Sequence, residues 1–436
     1  MSVKVFIDGS SGTTGLRIAD RLAARPEIEL LSISAEGRKD VNERAKVINS
    51  ADLAFLCLPD AASQEVMPLL RPDVKVLDTS TAFRTDAAWD YGFPELKGQK
   101  EKIKNSDRVA VPGCYASGFI SIARPLVELG LAPKDYPFSC TGISGYSGGG
   151  KKMIAEYESA DRPAHSKLDA PKSYGLSLAH KHLPEMKEIS GLAHTPMFVP
   201  VVCDYYCGMQ VLVPLDLTVA GTTAEAVAAG LADYYKDAAT VKVHALNEPL
   251  PENGLYSNAM AGTDRMELYL TVNAAGDQMM LVSLFDNLGK GSSGAAVQCM
   301  NLMLGLPEMQ KSSGLAHTPM FVPVVCDYYC GMQVLVPLDL TLAGTTAEAV
   351  AAALADYYKD AATVKVHGLN EPLPENGLYS NAMAGTDRME LYLTVNAAGD
   401  QMMLVSLFDN LGKGSSGAAV QCMNLMLGLE ETKGLE

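Results

Sequence analysis

The sequence predicts an α/β protein: a parallel sheet covered by helices, then a mixed α/β domain, then an extra repeated half-domain. Three observations carry this. Short β-rich runs alternate with helix-patterned stretches over residues 1–115, a glycine-rich turn joins the first run to the first helix, and Leu183–Gly305 recurs almost unchanged as Leu306–Gly428. Strand, helix, strand alternation implies parallel pairing, because parallel neighbours need a crossover and the crossover helix covers one face.

Val3–Asp8, Ile28–Ser34, Leu53–Leu58, Lys75–Thr79 and Arg108–Val111 read as buried strands bounded by Gly, Pro or Asp. Leu16, Ala19 and Ala23 set a helical stripe after the first. Farther on, Phe119–Leu131 and Thr222–Lys236 are helical in pattern, Met209–Leu217 and Val241–Leu246 strand-like. Arg265–Val272 pairs with Gln278–Phe285 as a hairpin across Asn273–Asp277.

With 48% hydrophobic and 20% charged residues in 436, the chain can bury a core and is not disordered. A net charge of -16 argues against a general nucleic-acid binder, whose phosphate contacts need clustered cations. No stretch reaches the roughly 18 apolar residues of a membrane span, and the start lacks a signal-peptide pattern, so a cytoplasmic protein is expected.

Between the repeat's two copies 117 of 123 positions are identical; the six differing pairs are Lys187/Gln310, Glu188/Lys311, Ile189/Ser312, Val219/Leu342, Gly230/Ala353 and Ala245/Gly368. Two copies are too few for a stacked solenoid, so this reads as an internal duplication. Setting one copy aside leaves 313 residues, a two-domain length, and the second copy alone supplies -7 of the net charge. The nine cysteines reduce to six independent positions, 57, 114, 140, 203, 207 and 299, without a C-x-x-C, so no metal is expected and the thiols should be reduced.

Gly9-Ser10-Ser11-Gly12-Thr13-Thr14-Gly15 stands at the end of the first strand, directly before the helix. Gly9, Gly12 and Gly15 let the backbone approach a pyrophosphate, the helix N-terminus offers free N–H groups, and Ser11, Thr13 and Thr14 add hydroxyls. This is a Rossmann-type nucleotide site; the bland alternative is a plain glycine turn. Where an acidic residue usually meets the ribose of NAD, the chain has Ser34-Ala35-Glu36-Gly37-Arg38-Lys39; Ser34, Arg38 and Lys39 suit a 2′-phosphate, hence NADP, although Glu36 could still serve a ribose and such a cation pair is also common in solvated loops.

Pro112-Gly113-Cys114-Tyr115 follows the fifth strand and opens a helix, a setting whose dipole favours a thiolate nucleophile at Cys114. Cys57, Cys140 and Cys299 sit in apolar runs and read as small hydrophobes. Of the independent histidines 165, 180, 182, 194 and 244, His182 is the general acid/base candidate and His180 the second, in His180-Lys181-His182-Leu183-Pro184-Glu185, where Glu185 could orient a ring. A solvated loop is the competing reading. Ser147, Gly148 and Lys151, in a run with Gly149 and Gly150, are candidates for an oxyanion or phosphate nest, or only a flexible turn. Arg84, after the fourth strand, is placed to clamp a substrate anion or to form a structural ion pair.

Taken in this order, Gly9–Gly15, Ser80–Arg84, Pro112–Tyr115, His180–Glu185 and Asp286–Gln298 resemble the shorter form of N-acetyl-gamma-glutamyl-phosphate reductases, over the whole 313-residue non-redundant chain. The resemblance implies NADPH-dependent reduction of N-acetyl-L-glutamyl 5-phosphate to its semialdehyde through a cysteine thioester, a step of arginine biosynthesis. It implies the semialdehyde dehydrogenase fold and a homo-oligomer. His180 would contact substrate, and Asn287 and Lys290 the cofactor, on a segment whose helix returns to the first domain. Ser293 and Ala295–Ala296 depart from the family pattern there.

The domains expected are 1–115, binding NADP and completed by helix 288–306; 116–287, catalytic and oligomerising; and 307–429, the near-duplicate of 184–306. The repeat begins one residue after His182 and copies neither Cys114 nor the nucleotide loop, so one site per chain is expected, completed by the first copy. The second copy would then hold apolar surface without its sheet partner. Two other readings stay open: an aspartate-semialdehyde dehydrogenase, and a non-catalytic nucleotide-binding or assembly protein.

Overall fold

The computed structural model describes residues 2–23, 25–163, 166–251, 254–308, 330–373 and 378–435; His165 and Cys326 lie outside them. The chain divides into two units, Met1–Gly314 and Leu315–Glu436.

Unit one begins with a six-stranded, wholly parallel sheet. Its strands are β1 (Val3–Asp8), β2 (Ile28–Leu31), β3 (Leu53–Leu56), β4 (Lys75–Asp78), β5 (Asp90–Tyr91) and β6 (Arg108–Ala110), in the order β2-β1-β3-β4-β6-β5. The five expected strands are present; the two-residue β5 at the edge had no pattern long enough to read. Helices α1 (Thr13–Ala23), α2 (Val41–Ser50), α3 (Asp60–Val66) and α4 (Gln99–Asn105) make the crossovers. Asp40 caps α2 by accepting from the Asn42 and Glu43 amides. One face packs Phe6, Ala54, Leu56 and Val76 against Ala45 and Ile48 of α2 and Val66 of α3.

The second domain follows from α5 (Cys114–Glu128) through β7 (Ser139–Gly145), α6 (Gly150–Tyr157), β8 (Lys172–Ser173), α7 (Leu183–Ser190), β9 (Met197–Cys203), β10 (Met209–Asp216), α8 (Leu217–Ala220), α9 (Ala224–Tyr234), β11 (Val241–Leu246), β12 (Met266–Val272), β13 (Gln278–Phe285) and α10 (Gly294–Met303). Its seven-stranded mixed sheet runs β11-β12-β13-β10-β7-β9-β8. The β12–β13 hairpin has the expected antiparallel register, Met266 opposite Phe285 and Val272 opposite Met279, and Asn273 Oδ1 closes its turn by accepting from the Asp277 and Gln278 amides. α5 lies under this sheet, with Phe119 and Ile120 buried among Val211, Leu268 and Phe285.

The chain then returns. One π-helical turn at Gly289–Ser293, with Gly291 N–H bonded to Asp286 O and Ser293 N–H to Leu288 O, leads into α10. Ala295, Ala296, Cys299, Met300, Leu302 and Met303 of α10 share one core with Val5, Ile7, Ile18 and Leu22, covering the other face of the parallel sheet.

Unit two repeats the later part of this path: β14 (Met332–Asp339), α11 (Leu340–Ala343), α12 (Ala347–Tyr357), β15 (Val364–Leu369), β16 (Met389–Val395), β17 (Gln401–Phe408) and α13 (Gly417–Met426). The sheet order is β14-β17-β16-β15, and Met332 opposite Phe408 reproduces Met209 opposite Phe285. Where β10 has β7 on its second side, β14 has no strand there among the described residues. No helix among them is long and apolar enough to cross a membrane.

Candidate active site

Ligands of open parallel sheets sit beyond the carboxyl ends of the strands, and there unit one has a cavity of about 350 Å³. It gathers Thr13 and Thr14 after β1, Thr79 and Arg84 after β4, Pro112–Tyr115 after β6, Ser147–Gly150 at the start of α6, His180–His182 before α7, and Asn287 with Ser292 on the returning segment. Its charged lining groups are Arg84 and Lys181, with no carboxylate lining it among the described residues, although the chain as a whole is acidic.

Cys114 is the first residue of α5, as its Pro-Gly preface predicts. Burial pushes its thiol up to about 11; the Tyr115 amide, Arg84 and Lys181 pull the other way, and Glu185 adds to the rise. The helix terminus therefore favours the thiolate locally, but burial outweighs it, and the resting residue is a protonated thiol. The buried imidazole of His182 is held well below its ordinary value by burial, then by Arg84, His180 and Lys181. Burial and Lys181 lower His180 to about 4. Both rings are thus neutral near pH 7, as a base that receives the thiol proton must be.

The two rings meet edge to face at 4.7 Å, and His180 Nδ1 accepts the His182 amide at 3.1 Å. His182 Nδ1 is buried without a hydrogen-bond partner among the described residues. Glu185 does not orient either ring. It turns to Arg84 Nη1 at 2.7 Å, the Tyr91 hydroxyl at 3.0 Å and the Gly113 amide at 3.2 Å. Arg84 is buried, with its remaining donors on the Val111 and Thr79 carbonyls, so its contacts match the structural ion pair.

Ser147 and Gly148 line the cavity, while Lys151 is exposed in the first turn of α6 and is not among the lining residues. Asn287 ties two loops together: Nδ2 donates to Ser147 Oγ at 3.0 Å and Oδ1 accepts the Gly208 amide at 2.8 Å. Lys290 is not brought to the cavity. It is buried with Nζ 2.6 Å from Glu95 and 2.7 Å from Gln298 Oε1, a structural pair that the resemblance did not reveal. Lys181 does line the cavity; its place between the two histidines was the available signal for it.

The nucleotide turn has the shape that a dinucleotide phosphate needs. Gly9 has φ +87°, and a Cβ there would lie 2.5 Å from the Cys57 carbonyl, so only glycine fits. Gly12 N–H bonds to Gly9 O, Gly15 in the first turn of α1 packs against Gly9, and Thr13 Oγ1 is buried without a partner among the described residues. Thr14 Oγ1 lies 3.1 Å from Ser292 Oγ, joining the turn to the returning segment, while Ser11 is exposed. At the β2 end Ser34 Oγ accepts the Gly37 amide at 3.0 Å and leaves Arg38 and Lys39 exposed. These residues fit a pyrophosphate with a further anionic group.

Comparison with known proteins agrees. Residues 4–106 match the semialdehyde dehydrogenase NAD binding domain, and residues 114–287 and again 306–410 match the semialdehyde dehydrogenase dimerisation domain. An N-acetyl-gamma-glutamyl-phosphate reductase of Trichormus variabilis is 46% identical over 314 residues, 70% of this chain and 98% of its own. The chain belongs to the N-acetyl-gamma-glutamyl-phosphate reductase family. A Burkholderia cenocepacia reductase of that name is likewise 46% identical over 306 residues, 69% of this chain and 97% of its own. In fold, aspartate semialdehyde dehydrogenase II from Vibrio cholerae superimposes with a TM-score of 0.53 at 18% identity, over 70% of this chain and 99% of its own. The 314 residues shared with the Trichormus protein are close to the 313 left when one copy of the repeat is set aside.

Proposed function

We propose that unit one catalyses NADPH-dependent reduction of N-acetyl-L-glutamyl 5-phosphate to N-acetyl-L-glutamate 5-semialdehyde, releasing phosphate and NADP, in arginine biosynthesis. The observation that carries this reading is the convergence, in one cation-lined cavity, of the Cys114 thiol, a neutral buried His182 and the glycine turn after β1. His182 would accept the thiol proton as Cys114 sulfur bonds to the acyl carbon. The carbon–oxygen bond to phosphate then breaks, the phosphate leaves with a solvent proton, and a thioester remains on Cys114.

Gly9, Gly12, Thr13, Thr14 and Gly15 would hold the cofactor pyrophosphate, and Ser34, Arg38 and Lys39 its 2′-phosphate. Bound NADPH would supply the hydride that reduces the thioester. Ser147 and Gly148 would support the oxyanion that follows, and its collapse breaks the carbon–sulfur bond. His182 returns its proton to the sulfur as the aldehyde departs. Lys181, with its charge at the cavity, would draw in the anionic substrate, beside His180.

We further propose that the second copy is an addition to a reductase of ordinary length, that the first copy completes the enzyme, and that the working form is a cytoplasmic homo-oligomer. The test is phosphate-dependent NADP reduction with N-acetylglutamate semialdehyde and with aspartate semialdehyde. Turnover of the first alone, falling about a thousandfold or more in Cys114→Ala, supports the proposal. Undiminished turnover in that variant removes the nucleophile, and preference for aspartate semialdehyde removes the substrate.

A further inference from the structure

Gly113 is the most crowded point of the site. A Cβ placed on it would lie 2.5 Å from Arg84 Nη1, 2.5 Å from His182 Nε2 and 2.6 Å from Glu185 Oε1. Three side chains from two separate segments thus meet on the residue that precedes Cys114. One of them, Glu185, is 2% exposed, sits on α7 rather than in the cavity wall, and accepts all three of its bonds from groups brought from elsewhere.

We propose that Glu185 is a positioning residue: its buried carboxylate locks the Gly113 amide, Arg84 and Tyr91 together and so fixes the turn that presents Cys114 to His182 and to the substrate. Gly113 is the N-cap of α5, where a backbone N–H is free to be claimed, and it carries no side-chain cap of its own. Glu185 claims that N–H, while Arg84 holds the same carboxylate and, through Nε, the Val111 carbonyl two residues earlier. The turn is thereby held from both ends by one buried ion pair. Breaking such a pair by removing one partner leaves a buried charge, so Glu185 is placed for rigidity rather than for net stability.

The repeat supplies an internal contrast. Glu308, the counterpart of Glu185, instead bonds Gln298 Nε2 at 2.8 Å and Lys100. The sequence Leu-Pro-Glu alone therefore does not build this lock; Arg84, Tyr91 and Gly113 must be in reach.

This inference deepens the proposed reduction at Cys114, and its test reads the thiol without turnover. The rate of Cys114 alkylation by iodoacetamide is followed against pH. The charged and titratable groups around the sulfur are Arg84 after β4, Tyr115 beside it in α5, Tyr174 after β8, His180, Lys181 and His182 before α7, and Glu185 itself. Glu185→Gln removes a negative charge that disfavours the thiolate and frees Arg84 to favour it. The alkylation midpoint should move to lower pH by about half a unit or more, while kcat falls about tenfold or more and KM for NADPH stays within about twofold.

Tyr91→Phe takes a hydroxyl dipole from the carboxylate, leaves the fold's volume intact and should move the midpoint slightly the other way. Opposite shifts support the lock. Unmoved midpoints, or shifts in the same direction, overturn it, and if Glu185→Gln does not fold, the sign in Tyr91→Phe decides alone. Correct shifts in a protein without reductase turnover would leave this inference standing and remove only the proposed reaction.

Discussion

The chain contains its own control: the same 123-residue sequence, with six differences, placed in two settings. In unit one Leu302 and Met303 of α10 are 5% and 4% exposed, whereas their counterparts in α13, Leu425 and Met426, are 56% and 86% exposed. Val213 in β10 is fully buried; Val336 in β14 is 46% exposed. Lys290 reaches Glu95, but among the described residues Lys413 reaches only the Thr363 hydroxyl and Gln421. Secondary structure and register survive the change of setting because they depend on local pattern and on strands within the repeat. Burial and bonds that are made against residues 1–182 do not survive, because those residues occur once.

The largest expected effect that would break this contrast is on stability. Leu302→Ala should cost about 2–5 kcal/mol in chemical denaturation, and Leu425→Ala less than about 0.5; equal losses would show that α13 is as well covered as α10. Next is function. Asn287→Ala frees Ser147 and Gly208 from each other and should lower kcat/KM about 10- to 100-fold. Asn410, which holds the Gly331 amide at 2.7 Å, should be silent when replaced by Ala in the same assay.

The histidine stacks sharpen the comparison, because they are where the copies agree. His244 lies 3.9 Å from Tyr269 and bonds Glu248 and Glu267 at 2.8 and 2.9 Å; His367 repeats this with Tyr392, Glu371 and Glu390. Burial alone would lower the His244 pKa, but Glu267 and Glu248 together hold it above its ordinary 6.5. Its stabilisation is therefore complete below that value and fades as pH rises through the higher folded value. The denaturation midpoint should fall between about pH 6 and pH 8 in the wild type, and fall less in His244→Gln. The smallest effect is on the whole second copy: deleting residues 306–428 should leave reductase turnover within about twofold, measured on the same substrate.

What the sequence made legible follows the same division between local and distant. β1, the glycine turn and the β12–β13 hairpin could be read because their signals lie within a few residues: alternating apolar positions, Gly9 before a helix, Asn273 at a tight turn. Cys114 at the start of α5 was legible for the same reason. The protonation of Cys114 was not, since a dipole argument sees one helix while burial sums every surrounding segment. Glu185 was read as a partner for its neighbour in sequence, yet its bonds run to residues 101, 94 and 72 positions away. Lys290 likewise finds Glu95 at a separation of 195. The two-residue β5 and the π-helical turn before α10 had no periodicity to detect.

The return of α10 to the first sheet has a consequence in time. Residues 1–110 leave the ribosome with one sheet face covered only in part, by Ile18 and Leu22 of α1 and Ile103 of α4, and that face stays incomplete until residue 303 has been made. A second, identical helical sequence follows 123 residues later. At about 5–20 residues per second the first helix has a head start of about 6–25 seconds, while small domains fold in microseconds to seconds. Translation order thus hands the first sheet to α10 before its duplicate exists, and a chain refolded from denaturant, where both copies start together, loses that privilege.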